Sequence, residues 1–184
     1  MGKLVVTEFV TLDGVMDDPG GAEGFERGGW AFQFDRGPDG DKFKLDELTA
    51  SDAQLLGRKT YEGFAAAWPS REGEFADKFN SMPKFVVSST LKDPEWSNTT
   101  VIGLDDVAGL KEQFDGDVLV AGSGQLVREL IDRDLVDELR LMVFPVVLGK
   151  GKRLFADGAP QSDFALAEAR QTGAVAVLTL RRVG

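Results

Sequence analysis

The sequence predicts a single α/β domain over residues 1–184: three layers, α-β-α, around a mostly parallel sheet with antiparallel C-terminal strands. Three observations carry this. Up to Val136, apolar β-branched runs alternate with amphipathic helical segments, the pattern of β-α-β units. Beyond Val136 such runs follow one another without helices between them, which marks an antiparallel edge. The chain has 184 residues, 42% hydrophobic and 28% charged, enough for one full core and short for two.

The opening KLVVTEFVTL is rich in β-branched residues and predicts a buried strand. It runs into DGVMDDPGGAEGFERGGWAFQFDRGPDGD, dense in glycine and acid, with Trp30, Phe32 and Phe34 embedded. A connection this long is either a solvated acidic loop or a binding segment. Its aromatics speak for a segment that lines a substrate, since solvated linkers are poor in them. DKFKLDELTASD places Phe43, Leu45 and Leu48 on or near one helical face. A short strand AQLLG follows, then a helix from Arg58 to Trp68, ended by Pro69, which removes a helical N–H. EFADKFNSM is a further helix closed by Pro83, and KFVVSST a strand opening into a polar turn. TTVIG, LDDVAGLKEQF, DVLVAG and GQLVRELIDRDL read strand, helix, strand, helix. Leu126, Val127, Leu130 and Ile131 give the last helix its buried stripe. DELRLMVFPVVLG, DFALAEARQT and AVAVLTLRRV are the closing strands, and no repeat or linker divides the chain.

Composition then removes whole classes of function. With 31 acidic against 21 basic residues and a formal net charge of −10, nucleic acid is a poor partner, because binding it rests on neutralising phosphates. No run has the length of a membrane span, and the N-terminus lacks the basic start and apolar stretch of a signal peptide, so a cytoplasmic protein is expected. There is no cysteine and no histidine, which excludes thiolate catalysis, Cys-type metal sites and a Ser-His-Asp triad. What remains is chemistry by carboxylates, lysine, Tyr61 or a bound cofactor that brings its own reactive atom.

Three segments share one design: QLLGRKT, FVVSST and LVAGSGQ are apolar strands whose carboxyl ends meet small or polar residues. Ligands of open α/β sheets gather at those ends, where a helix beginning there turns unpaired N–H groups toward an anion. Arg58 and Lys59 stand at such a helix start, where the helix dipole is least favourable to cations, so the pattern predicts a bound anion. Gly122-Ser123-Gly124 lets backbone approach closely. It does not complete a dinucleotide fingerprint, since Val127 stands where the last glycine belongs.

LLGRKTYEGF, FVVSST and VAGSGQLVREL, with TLDGVM before them and FPVVLGKGKRLF after, follow one another in the order and spacing of the dihydrofolate reductase fold. The chain resembles the branch of that family related to the C-terminal reductase domain of the bifunctional riboflavin-biosynthesis deaminase-reductase. The resemblance implies NADPH as the anion and hydride transfer to a small heterocycle, pterin-, pyrimidine- or flavin-like. It implies that Arg58, Ser88 and Ser89 meet the adenosine 2′-phosphate. Lys59 and Thr60 meet the pyrophosphate from one side, and Gly122, Ser123, Gly124, Gln125 and Leu126 from the other, with Gly57 also in the coenzyme site. Val15 and Met16 are expected near the nicotinamide, and a homodimer through the late strands is implied.

Dihydrofolate reductases proper hold the pterin with a carboxylate on the first helix after a Pro-Trp start, and here Asp35, Asp41, Asp46 and Glu47 offer no clear counterpart. The Thr11–Gly14 segment instead matches the branch whose best-known substrate is a phosphoribosylamino-pyrimidine. For the substrate the expected contacts are Asp13, Trp30 and Phe32; Asp13 has the competing role of a turn residue bonded to its own backbone. Lys150, Lys152 and Arg153 read as a charged hairpin before they read as a phosphate clamp. A non-catalytic nucleotide- or ligand-binding protein on the same fold is the competing function.

Overall fold

The first strand, β1 (Leu4–Thr11), is buried along almost its whole length, which fits a central strand covered on both faces. In the computed structural model, which describes residues 1–184, β1 lies between β5 (Asp117–Ala121) and β6 (Glu138–Phe144), parallel to both. β2 (Ser51–Gly57), β3 (Lys84–Val87) and β4 (Thr99–Ile102) continue the parallel half beyond β5. β7 (Phe164–Thr172) and β8 (Val175–Arg182) add an antiparallel hairpin, giving the order β4-β3-β2-β5-β1-β6-β8-β7.

The period-two alternation of the strands sorts their side chains onto two faces. Val5, Leu56, Val86 and Leu119 pack with Leu48 of α1 (Gly37–Thr49), Tyr61 of α2 (Arg58–Ala67) and Phe79 of α3 (Glu74–Ser81). Leu4, Val6, Ala53, Leu55, Val118 and Val120 pack instead with α4 (Val107–Gln113) and α5 (Gly124–Asp132). The chain therefore winds one way over one face and back over the other, and the reversal falls at β5. This is the dihydrofolate-reductase-like architecture that the sequence predicts.

Two boundaries move. The first helix begins at Gly37 and ends at Thr49, so Ser51 and Asp52 belong to β2 and not to the helix. β6 stops at Phe144, because Pro145 cannot donate to the ladder.

The long segment after β1 is ordered around one buried carboxylate. Asp18, 2% exposed, accepts the N–H groups of Glu23 (3.0 Å) and Phe25 (3.1 Å), while its carbonyl takes those of Gly21 and Gly29. Trp30 then drops into an apolar cluster with Met142, Phe144, Leu148 and Val177, edge-on to Phe144 at 5.3 Å. The expectation of a solvated loop is thereby set aside.

Candidate functional site

The strand order sets the carboxyl ends of β3, β2, β5 and β1 side by side, so the three segments singled out in the sequence meet at one edge of the sheet. α2 starts at Arg58 directly after β2, and α5 starts at Gly124, with only Gly122 and Ser123 between it and β5. α2 and α5 cover opposite faces, so β2 and β5 flank the point where the winding reverses. It is outside the carboxyl ends of such a strand pair that open α/β sheets have their ligand crevice. The two starts interlock. A Cβ at Gly57 would stand 2.2 Å from Ser123 Oγ, and one at Gly122 2.8 Å from Thr60 Cγ2. At Gly124 it would stand 2.5 Å from Met16 Sδ, so the loop after β1 closes the same edge. Gly122 also has φ 83°, a left-handed conformation that glycine adopts without strain.

Electrostatics point the same way. α2 has no side-chain cap and no acid in its first turn, while α5 is capped only by a long contact, Leu126 N–H to Ser123 Oγ at 3.5 Å. The N–H groups and partial positive charge of two helices thus face the crevice beside Arg58 and Lys59. Arg58 is held out along the flank of α2: its Nε donates to Glu62 at 2.9 Å and its Nη1 to Thr90 Oγ1. That brings the guanidinium beside the turn after β3. There Ser88 Oγ accepts from Thr90 N (3.2 Å) and Leu91 N (3.0 Å), shaping the turn, and Ser89 is exposed. Lys59 pairs with Glu23 at 3.3 Å; that hydrogen bond and charge hold its ammonium above the ordinary lysine range.

The RibD C-terminal domain family matches residues 2–178 of the sequence. The chain belongs to this family. As a RibD C-terminal-type domain it is similar to YyaP of Bacillus subtilis (strain 168), 30% identical over 164 residues, which cover 84% of this chain and 81% of YyaP. Two solved structures share its fold. A candidate riboflavin biosynthesis protein of Shewanella sp. PV-4 superposes with a TM-score of 0.78 at 20% identity over 99% of both chains. A pyrimidine reductase-like protein of Corynebacterium diphtheriae does so with 0.68 at 10% identity, over 99% of this chain and 92% of its own.

Within this RibD C-terminal-type domain, Gly57, Arg58, Lys59, Thr60, Ser88, Ser89, Gly122, Ser123, Gly124, Gln125 and Met16 come together at the crevice or on its rim. Two other expectations, Trp30 and Asp13 as substrate contacts, are corrected, and those for Val15 and Leu126 are narrowed. Trp30 is 1% exposed, with its indole N–H on the Asp17 carbonyl at 2.9 Å, so it is core and lines nothing. Val15 is 0% exposed and its N–H is taken by Thr11 Oγ1; it offers no side-chain surface to a ring. Leu126 buries its side chain in the α5 stripe, so only its N–H, on the long contact to Ser123, is turned to the loop. Asp13 is a clasp. It accepts from Thr11 Oγ1 (2.6 Å), Leu148 N (3.2 Å) and Gly149 N (2.8 Å), tying the β1 turn to the segment after β6. Burial alone would raise its pKa, but these donors outweigh that and hold it down to about 2.

Phe32, 82% exposed, is the aromatic of its segment left on the surface. Lys150 pairs with Glu26, and the N–H and carbonyl of Lys152 bond Asp17 and Met16, so this stretch straps the loop after β1. Three acids of α1 are engaged within the protein: Asp41 pairs with Arg36 and Asp46 with Lys42, while Glu47 is sealed against Lys44 and Thr7. A surface hollow of about 600 Å³ lies elsewhere, between α2 and residues 91–96. It is open and edged by Glu62, Lys92, Asp93 and Glu95, and it has no convergent polar groups of the kind the crevice has.

Sequence reasoning passed over Glu8 and Lys84. Both are charged residues inside strands, and hydrophobic periodicity records only that such a residue breaks the pattern.

Proposed function

We propose that the crevice between β2 and β5 binds NADPH and that the protein is an NADPH-dependent reductase of a small heterocycle of the phosphoribosylamino-pyrimidine class. One observation carries the reading: two helix N-termini from opposite faces interlock at a single crevice, with Arg58 on its rim, in a chain of net charge −10. The donor set fits the coenzyme. Arg58 with the Ser88–Ser89 turn would hold the 2′-phosphate, since a planar guanidinium fork suits phosphate and its Nη2 has no hydrogen bond within the protein. Lys59, Thr60 and the Gly122–Gln125 backbone would hold the pyrophosphate, with Met16 toward the nicotinamide. Bound NADPH supplies a hydride, which needs neither histidine nor cysteine. The protein's part is to hold two rings at reacting distance and shut out water.

The name of the Corynebacterium neighbour, pyrimidine reductase-like, agrees in class with this substrate. A second reading, coenzyme binding without turnover, is favoured by Asp41, Asp46 and Glu47 of α1, each engaged by a lysine or arginine of the protein. Two measurements decide. Saturating NADPH raises the melting temperature, because a ligand that binds only the folded state stabilises it. NADPH is then oxidised in the presence of one member of a panel of pterins, flavins and ribosylaminopyrimidines. Stabilisation without oxidation of NADPH by any member leaves the binding-protein reading; no stabilisation removes both.

A further inference from the structure

Glu8 lies beside the crevice. The parallel register of β1 and β5 ends at Thr7 opposite Ala121, which puts Glu8 alongside Gly122. Its Oε1 accepts the Gly122 N–H at 2.9 Å, so this carboxyl holds the first residue of the glycine loop from which α5 starts. The residue is only 7% exposed. Its second oxygen has no partner in the protein, yet it is not among the sealed unpartnered atoms, so it faces the small opening that remains.

The groups around it are few. On its own face of β1 its neighbours Val6 and Val10 pack with Leu126 and Val127 of α5, and its partner on β6 is Leu141. Arg128 of α5 turns its Nε to the Gly124 carbonyl at 3.1 Å. From α1 act Lys44 and Glu47, opposite charges bonded to each other. Burial in these surroundings pushes the Glu8 pKa up to about 8, against the smaller downward pull of the Gly122 N–H and Lys44.

We propose that Glu8 is a positioning residue for the coenzyme: as a neutral acid it pins Gly122 and the N-terminus of α5, and as a carboxylate it repels the pyrophosphate. The proposal rests on the NADPH reading above. Three consequences follow from it. Affinity falls as pH rises through the window where Glu8 ionises. By reciprocity, binding draws a proton into the protein at alkaline pH. NADPH and NADH are affected alike above pH 7, because the pyrophosphate is common to both and the 2′-phosphate, with a second pKa of about 6, is then about nine-tenths ionised.

Isothermal titration of NADPH and NADH into the wild-type protein and Glu8→Gln, near pH 7 and near pH 9, in two buffers of different ionisation heat, tests this. In the wild type Kd rises on the order of tenfold across the range for both coenzymes, the scale of a screened unit charge. Net proton uptake accompanies binding near pH 8. Gln keeps the acceptor for Gly122 N–H and cannot ionise, so the variant shows a flat profile and no uptake. A Glu8→Gln profile as steep as that of the wild type overturns the proposal and leaves the NADPH reading intact. Absence of NADPH binding at either pH overturns both. Should the variant not fold, wild-type binding without proton uptake near pH 8 overturns the proposal by itself.

Discussion

Arg58 is a cation at the positive end of a helix, and two neighbours keep it there: Glu62 one turn on and Thr90 across the crevice rim. A guanidinium restrained in this way is preorganised for an anion, which is the residue-scale case for a 2′-phosphate contact. Arg58→Ala is expected to raise the NADPH Kd by roughly ten- to a hundredfold, the scale of a charged hydrogen bond, and the NADH Kd far less. Calorimetry with both coenzymes checks this, and equal losses would sink the 2′-phosphate assignment. Asp13 makes the opposite point, since its chemistry is spent on the fold. Its folded pKa of about 2 lies below the ordinary 3.8, so its stabilising effect is complete above pH 3.8 and disappears as pH falls through about 2. Asp13→Asn should therefore lower the melting temperature at neutral pH by several degrees, about the effect of 1 kcal/mol in a domain of this size. The gap to wild type should close in acid, as urea unfolding between about pH 5 and pH 2 would show; a gap that persisted would rule out the clasp.

At the scale of an element, α3 ends on a charge that the strand after it supplies. Lys84 is 0% exposed, and its ammonium donates to the carbonyls of Phe79 (3.0 Å), Asn80 (3.0 Å) and Met82 (2.9 Å). The face of Trp96 lies 4.4 Å away. Burial pushes its pKa down to about 8, while the negative end of the helix and the indole act the other way. A methionine of similar length would leave those carbonyls without their donor. Lys84→Met is expected to cost on the order of 3 kcal/mol in denaturant unfolding, with no change in coenzyme affinity once folded. An unchanged midpoint would mean the ammonium contributes nothing net to the α3 end. The segment after β1 is a second element-scale device: Asp18 gathers its turns, and Trp30 and Phe34 anchor it on Phe144. Its inner edge, Met16, can then reach Gly124.

Across the whole molecule, one edge of the sheet stands out. β7 is the last strand in the order, and Ala165 through Gln171 are exposed on both faces, with Leu166 at 61%. A nine-residue strand with one free row of backbone groups is a template for pairing with another chain. We propose that a second copy covers it. Light scattering should then give twice the monomer mass for the wild type, and Leu166→Lys should shift the molecule toward monomer. A wild-type monomer at high concentration would end that idea. No helix is long and apolar enough to cross a membrane.

Much of this was legible from the residues alone, and for a local reason. Strand and helix periods, the prolines at 69 and 83, and the glycine-ended strands are short-range signals, so the element order and most strand ends could be read directly, although the strand end at Pro145 was not. That positive charge beside Gly57 implies an anion is also local chemistry. Tertiary structure alone decided which strand ends became neighbours, because the insertion of β5 between β2 and β1 joins segments more than sixty residues apart. It also decided that Trp30 is buried while Phe32 is exposed, that Asp13 is a clasp, and that Glu8 touches Gly122. Each of these outcomes depends on burial and partners brought from distant parts of the chain, and a side chain's desolvation and hydrogen bonds exist only once those parts are packed.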